Sequence, residues 1–215
     1  MDFFEWEPYY ERILEDFGFS RSEDESVARE LDRLLGGMRT HDRALRETLE
    51  GREVTVVGNG PDVTKEIDAA RGVLVTADEA TSVALARGLL PAILVTDLDG
   101  DVADQVKANA QGTIAVLHAH GDNGPAVRTW APRFSGRTVA TTQSTPSGGL
   151  RNFGGFTDGD RAVFLADHFG AATIRLVGFD FERPSPKDAD ARTKQRKLDW
   201  AYILLESLRR EELDL

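Results

Sequence analysis

The chain has 215 residues, no cysteine and a formal net charge of −11, from 37 acidic and 26 basic side chains. The missing cysteine excludes disulfides and thiolate metal sites, and the acidic balance argues against general nucleic-acid binding, which needs a basic footprint. The length suits one α/β domain with a small appendage, and an acidic surface in which arginine outnumbers lysine suits a halophile, whose proteins stay soluble in a salt-rich cytoplasm.

Residues 1–50 read as an N-terminal helical cap. Ser22 followed by Glu25 fits a capping box, Val27, Leu31, Leu34 and Leu35 recur at helical spacing, and Gly36-Gly37 ends or interrupts that helix. Residues 51–215 then alternate short β-branched runs with helical stretches. The runs fall at 54–57, 73–76, 92–96, 113–117, 138–141 and 173–177, and the helices near 64–71, 79–87, 101–110, 124–130 and 158–169. Alternation of this kind predicts βαβ units and a doubly wound, mostly parallel, Rossmann-like sheet. A charged amphipathic helix over 189–212, with an apolar stripe of Trp200, Ile203, Leu204 and Leu208, closes the chain. No apolar run approaches the ~20 residues that cross a bilayer, and Met1-Asp2-Phe3-Phe4-Glu5 does not read as a signal peptide. A cytoplasmic protein without membrane partners is therefore expected. The N-terminal helices and the stripe near Trp200 leave room for a homodimer.

Nearly every strand run ends in a polar cluster. In an open α/β sheet ligands bind outside the carboxyl ends of the strands, so clusters converging there point to one site. Asp97 and Asp99, at i and i+2 beyond a strand, suit a hard cation such as Mg²⁺; the alternative is a turn with Asx-type bonds. Gly58-Asn59-Gly60-Pro61 fails the last position of a dinucleotide fingerprint, which is Val63 here, but suits a phosphate loop. His118-Ala119-His120-Gly121-Asp122-Asn123 resembles the start of a two-zinc hydrolase site, yet four histidines in the chain leave too few ligands. Polyphosphate binding or orientation of a nucleophile fits these imidazoles better. In the segment Asn152-Phe153-Gly154-Gly155-Phe156-Thr157-Asp158-Gly159-Asp160-Arg161, Thr157 reads as an N-cap and the two aspartates as first-turn residues. A sharper reading adds both carboxylates to the acidic cluster, makes Arg161 available for phosphate, and lets Phe153 and Phe156 stack on a flat heterocycle.

The ordered motifs V-T-D-L-D-G, H-A-H-G-D-N, T-T-Q and N-F-G-G-F-T-D-G-D-R-A, spread over residues 53–180, resemble the archaeal 6-hydroxymethylpterin pyrophosphokinases. That family is distantly similar to thiamine pyrophosphokinases, whose Asp-x-Asp and Thr-Asp motifs correspond to Asp97/Asp99 and Thr157/Asp158 here. The resemblance implies ATP, Mg²⁺ and transfer of the terminal diphosphate to a reduced pterin's hydroxymethyl oxygen, in folate- or methanopterin-type cofactor synthesis. It places the metal on Asp97 and Asp99, helped by Asp122 or Asp158, and leaves the base open between Asp160 and His120. Gly58, Asn59, Gly60, Asp78, His118, Asp122, Asn123, Thr157 and Arg161 become candidates for the nucleotide. Gln143, Asn152 and Asp180 become candidates for the pterin edge. One departure is Asp78-Glu79-Ala80, where Asp-Gly-Ala is expected. Other readings are a nucleotide-sugar transferase and a non-catalytic nucleotide-binding module. The second conflicts with so many carboxylates at one edge, which serve an anion site only through a cation.

Overall fold

The computed structural model describes residues 1–36, 41–184, 190–208 and 213–214. Three helices open the chain: α1 (Phe3–Phe17), α2 (Arg21–Leu34) and α3 (Asp42–Leu49). A capping box starts α1, with Asp2 accepting from the Glu5 N–H and Glu5 reaching back to the Asp2 N–H. The start of α2 lies earlier than the Ser22/Glu25 spacing implied, because its N-cap is Ser20, whose Oγ accepts from the Glu23 N–H. Ser20-x-x-Glu23 and Ser22-x-x-Glu25 are equivalent local patterns, and the face burying Asp24, Ala28 and Leu31 selects the first. The helix ends at Leu34 with Gly36 at φ 81°; Gly37 lies outside the described residues.

Six strands follow: β1 (Glu53–Val57), β2 (Val73–Ala77), β3 (Ile93–Thr96), β4 (Ile114–Ala119), β5 (Thr138–Thr142) and β6 (Thr173–Val177). They are all parallel, in the order β5-β4-β3-β2-β1-β6, and a two-residue β7 (Leu213–Asp214) extends the sheet beside β6. Each of the six lies within two residues of an apolar run in the sequence. A two-residue strand such as β7 carries no readable alternation. Between and after the strands come α4 (Val63–Glu66), α5 (Ala80–Ala86), α6 (Val102–Ala110), α7 (Gly124–Trp130), α8 (Asp158–His168) and α9 (Ala191–Glu206). The stretch expected to be helical at 64–71 is the short α4 followed by a 3-10 turn over Ile67–Ala69.

Alternate side chains of a strand point to opposite faces, and both faces are covered here. Val54, Val56, Val75, Val95 and Val116 pack with Trp6, Ile13, Leu45, Phe164 and Leu204, from α1, α3, α8 and α9. Leu94, Ala115, Leu117 and Ala140 pack instead with Ala28, Leu31, Ala108 and Val127, from α2, α6 and α7. This is a doubly wound α/β fold, and its N-terminal helices contribute to both hydrophobic layers. The helix α8 buries every residue from Asp160 to Ala166, the signature of a helix packed on all sides.

The stripe expected on α9 is rotated in part. Trp200 and Leu204 are buried, but Ile203 is exposed and Ala201 and Leu205 are buried in its place. Residue 189 and residues 209–212, the ends of the expected helix, lie outside the described residues. Among the described residues no helix is long and apolar enough to cross a membrane.

Phe164, fully buried at the centre of α8, is the residue on which this layer should depend most. Phe164→Ala is expected to cost about 3–5 kcal/mol in urea denaturation, and a loss below ~1 kcal/mol would show that α8 is not the centre of the core.

Candidate active site

The chain steps outward from β1 to β5 and then returns to lay β6 on the other side of β1. The loops after β1 and β6 therefore part at a topological switch point, where open α/β sheets form crevices. The cleft found there has a volume of about 220 Å³ and takes in Gly58–Gly60, Asp78, Asp97, His120, Asp158 and Gly178–Phe181. The glycines after β1 answer first to packing. The Gly58 N–H donates to Val177 O and the Gly60 N–H to Gly178 O. A Cβ at Gly60 would lie 2.6 Å from the Gly178 carbonyl oxygen. Asn59 is exposed and donates to Glu79 Oε2.

The strands deliver three carboxylates. Asp78 follows β2, Asp97 follows β3, and Asp158 opens α8, where the positive end of the helix favours an anion. One oxygen from each lies within 4.8 Å of the other two. Asp99 does not join them. Leu98, at φ 68°, turns the chain and is itself buried, leaving Asp99 exposed at the rim with its carboxylate on the Gly100 N–H. Asp122 is likewise an exposed rim residue. The spacing of Asp97 and Asp99 thus places one carboxylate in the cluster, and Asp78 arrives from another strand.

Asp78 adopts φ 47°, a conformation aspartate tolerates better than most residues. The next residue, Glu79, sits at φ −59°, so glutamate in place of the expected glycine costs no backbone strain. Its side chain lies across Gly100, where a Cβ would meet Glu79 Cγ at 2.3 Å.

Burial and mutual repulsion dominate the electrostatics. Burial, then the charges of Asp158 and Asp97, pushes the Asp78 carboxyl up to about 8, against donations from Gln105 and Thr96. Asp158 is pushed up to about 6 by burial and by Asp97, although Arg161 donates to it at 3.0 Å. Asp97 goes the other way. Burial alone would raise it, but His120, 3.3 Å from its Oδ2, together with Arg161 and Lys197, holds it below the ordinary value.

The loop after β4 is built around Asn123, whose amide donates to Asp97 O and to His118 O while its Oδ1 accepts from the His120 N–H. His120 faces the cleft. His118 does not: it is buried against Thr141 Oγ1, and burial pushes its pKa well down, which keeps the imidazole neutral. Asp160 is fully buried, with its carboxylate on the Phe156 and Thr157 N–H groups and the Thr157 hydroxyl, so it closes the cap of α8 and does not line the cleft. Thr157 does line it. Asn152 turns to Ser144 O and the Gly154 N–H, and Asp180 holds the turn to Arg183. Phe156 lines the cleft, whereas Phe153 packs on His168 and Phe169.

Two contributions are absent from the sequence-based expectations. One is Asp24 of α2, buried among three partners: Tyr10 Oη at 2.6 Å, Gln143 Nε2 at 2.8 Å and the Gly121 N–H at 2.7 Å. Because a carboxylate only accepts, it turns the Gln143 amide so that Oε1 faces Arg161 at 3.2 Å. Arg161 in turn holds Asp158. The other is the cationic wall supplied by α9 and the segment before it, with Arg183, Lys194 and Lys197. An aspartate in a helical repeat and lysines in a charged helix carry no local signal of this kind; only the amphipathic phase of α2, which puts Asp24 on its buried face, hinted at the first.

Residues 29–185 match a family model described as 6-hydroxymethylpterin diphosphokinase MptE-like. Three archaeal proteins named 6-hydroxymethyl-7,8-dihydropterin pyrophosphokinase are similar over nearly their whole length. The one from Methanothermobacter thermautotrophicus is 42% identical, covering 95% of this chain and 94% of that protein. Those from Methanocaldococcus jannaschii and Pyrococcus furiosus are 36% and 38% identical, covering 97% and 95% of this chain and 96% and 93% of those proteins.

Asp24→Asn puts an amide where Gln143 and Tyr10 need an acceptor, and is expected to flip the Gln143 amide away from Arg161. The expected cost is about 1–3 kcal/mol in urea denaturation; an unchanged midpoint would mean that this network does not hold the cleft.

Proposed function

Since the chain belongs to the MptE-like 6-hydroxymethylpterin diphosphokinase family, we propose that its cleft transfers diphosphate from ATP to the hydroxymethyl oxygen of 6-hydroxymethyl-7,8-dihydropterin. The observation that carries the site assignment is the meeting of Asp78, Asp97 and Asp158 at the switch point. In the reaction the hydroxymethyl oxygen bonds to the β-phosphorus of ATP, the bond from that phosphorus to the α-phosphate oxygen breaks, AMP leaves, and the hydroxyl proton is released. The product serves folate- or methanopterin-type cofactor synthesis.

The three carboxylates fit Mg²⁺. They are hard oxygen donors without a thiolate among them, and in Asp78 and Asp158 burial, followed by the neighbouring carboxylate charges, raises the affinity for protons, a penalty on ionisation that a divalent cation would relieve. Mg²⁺ held by Asp78, Asp97 and Asp158 would supply charge neutralisation on the phosphates. The protein's remaining task is positioning. Arg161 and the Gln143 carbonyl hold Asp158 in place. The cleft wall offers the rings of Phe156 and Phe179 to a flat heterocycle. His120, on the wall and 3.3 Å from Asp97, is placed to accept the hydroxyl proton, whereas Asp160 is fully engaged in the α8 cap. Geometry comes first in assigning a base, and it favours His120.

Incubation with Mg-ATP and 6-hydroxymethyl-7,8-dihydropterin, with the products resolved by chromatography, tests the reading directly. AMP and a pterin diphosphate are expected together, and only with both substrates and Mg²⁺; ADP in place of AMP would overturn it. Asp97→Ala is expected to lose turnover by at least ~100-fold while remaining folded, and near-normal turnover would refute the metal assignment.

A second test uses pH. Asp78 and Asp158 bind protons more tightly in the folded protein than their ordinary values allow, so these two groups carry more protons folded than unfolded between about pH 4 and 8, while His118 and His168, pushed down by burial, act in the opposite sense only below the ordinary imidazole value of 6.5. Stability of the metal-free protein should therefore fall as pH rises through 6 to 8. Saturating Mg²⁺, which binds the ionised form, should flatten that fall in thermal melts. Superimposable profiles with Mg²⁺ and with EDTA would count against a cation at this cluster.

A further inference from the structure

The helix α9 turns one face to the cleft: Lys194, Lys197, Leu198 and Ala201, at i, i+3, i+4 and i+7, all line it. Its docking is well anchored. Asp16, at the end of α1, accepts from Arg196 at 2.9 Å and from Trp200 Nε1 at 2.9 Å, and Gln195 donates to Phe181 O at 2.7 Å. The phase of α9, and with it the direction of its cleft-facing lysines, is thus set by contacts outside the cleft.

Lys197 differs from two other cations of the wall. Arg161 is tied to Asp158, and Arg183 to Asp180 and Asp62. Lys197 makes no hydrogen bond or ion pair with any described residue. Its ammonium lies 6.0 Å from the centroid of the Phe156 ring, within cation–π reach. Burial lowers its pKa, opposed by Asp97 and Asp122, with Arg161 and Lys194 adding to the lowering. A partly buried ammonium beside a carboxylate cluster, yet paired with none of its members, has its donors available for an anion in the cleft. A lysine ammonium is a compact charge with three donors on a mobile stem, which suits the moving oxygens of a phosphoryl group.

We propose that Lys197 binds the phosphate oxygens of the nucleoside triphosphate, on the diphosphate being transferred, and that α9 is therefore a functional wall of the site as well as a packing element. The proposal rests on the diphosphokinase reading above. A lysine that only offset the charge of the three aspartates would matter to stability and leave nucleotide affinity unchanged.

The experiment is calorimetric titration of the full chain in Mg²⁺ with α,β-methylene-ATP, which cannot be cleaved between the α- and β-phosphates, and separately with the pterin. Lys197→Met is expected to weaken nucleotide binding by about tenfold to a hundredfold, with pterin affinity unchanged, and Lys197→Arg to recover most of the loss. Nucleotide affinity unchanged in a folded Lys197→Met protein overturns the proposal and leaves the diphosphokinase reading standing. A wild-type protein that binds pterin but no nucleotide overturns both. Amine labelling of the wild-type protein, read by mass spectrometry, needs no variant to fold: Mg²⁺ with the analogue should protect Lys197 from acetylation, and undiminished labelling overturns the proposal.

Discussion

Three carboxylates held within 4.8 Å of one another in a half-closed cleft repel one another, and the rest of the site is arranged around that repulsion. Parallel strands make the meeting possible, because their carboxyl ends all open on one edge. Asp78 and Asp97 leave adjacent strands, and Asp158 comes from the helix that crosses beneath them. Proton affinity rises in two of the three. The third, Asp97, keeps its charge because His120, Arg161 and Lys197 surround it. A site that resists ionisation without a counter-charge is one whose repulsion a hard cation would relieve.

Support for this cluster comes from well outside the sheet edge. A chain of polar contacts runs from Tyr10 on α1 through Asp24 on α2, then Gln143 and Arg161, to Asp158. Each member has its orientation decided by its neighbour, beginning with a carboxylate that can only accept. The N-terminal helices are thus more than a cover, since they set the direction of the amide that faces Arg161. Asn123 does a parallel service on the other side, tying the histidine loop to the backbone of Asp97. Buried polar groups of this kind are costly when unpaired, and the two networks pair most of theirs, Arg161 Nε being a buried exception.

The cleft is asymmetric in charge. Carboxylates occupy the strand ends, and α9 with the segment before it adds Arg183, Lys194 and Lys197 to the lining. A magnesium-bound polyphosphate has the complementary pattern, with a cation on one side and anionic oxygens on the other. An apolar part of the wall, with Phe156, Phe179 and Ala201, adjoins this charged region, which is the division of surface that a flat heterocycle carrying a reactive hydroxymethyl group requires.

By itself the sequence determined the fold class and the positions of the six longer strands to within two residues, and its polar clusters pointed to the carboxyl edge of the sheet. Those features follow from local alternation and from the polar residues that end each run, both of which are written in consecutive positions. The cap of α2 could not be settled locally, because two identical Ser-x-x-Glu patterns overlap and burial chooses between them. The same holds for α9, where Ile203 and Leu205 are equivalent by composition and docking into the layer built around α8 buries only the second. The sequence motifs place Asp158 beside Asp97, but tertiary structure decided the rest: Asp99, two residues from Asp97, is turned outward by Leu98, Asp122 stays at the rim, and Asp78 arrives from another strand. Asp24, Gln143 and Lys197 acquire their significance in the same way. Their spacing in the chain says nothing of their distance in space, because the sheet order that brings them together depends on the packing of both faces at once.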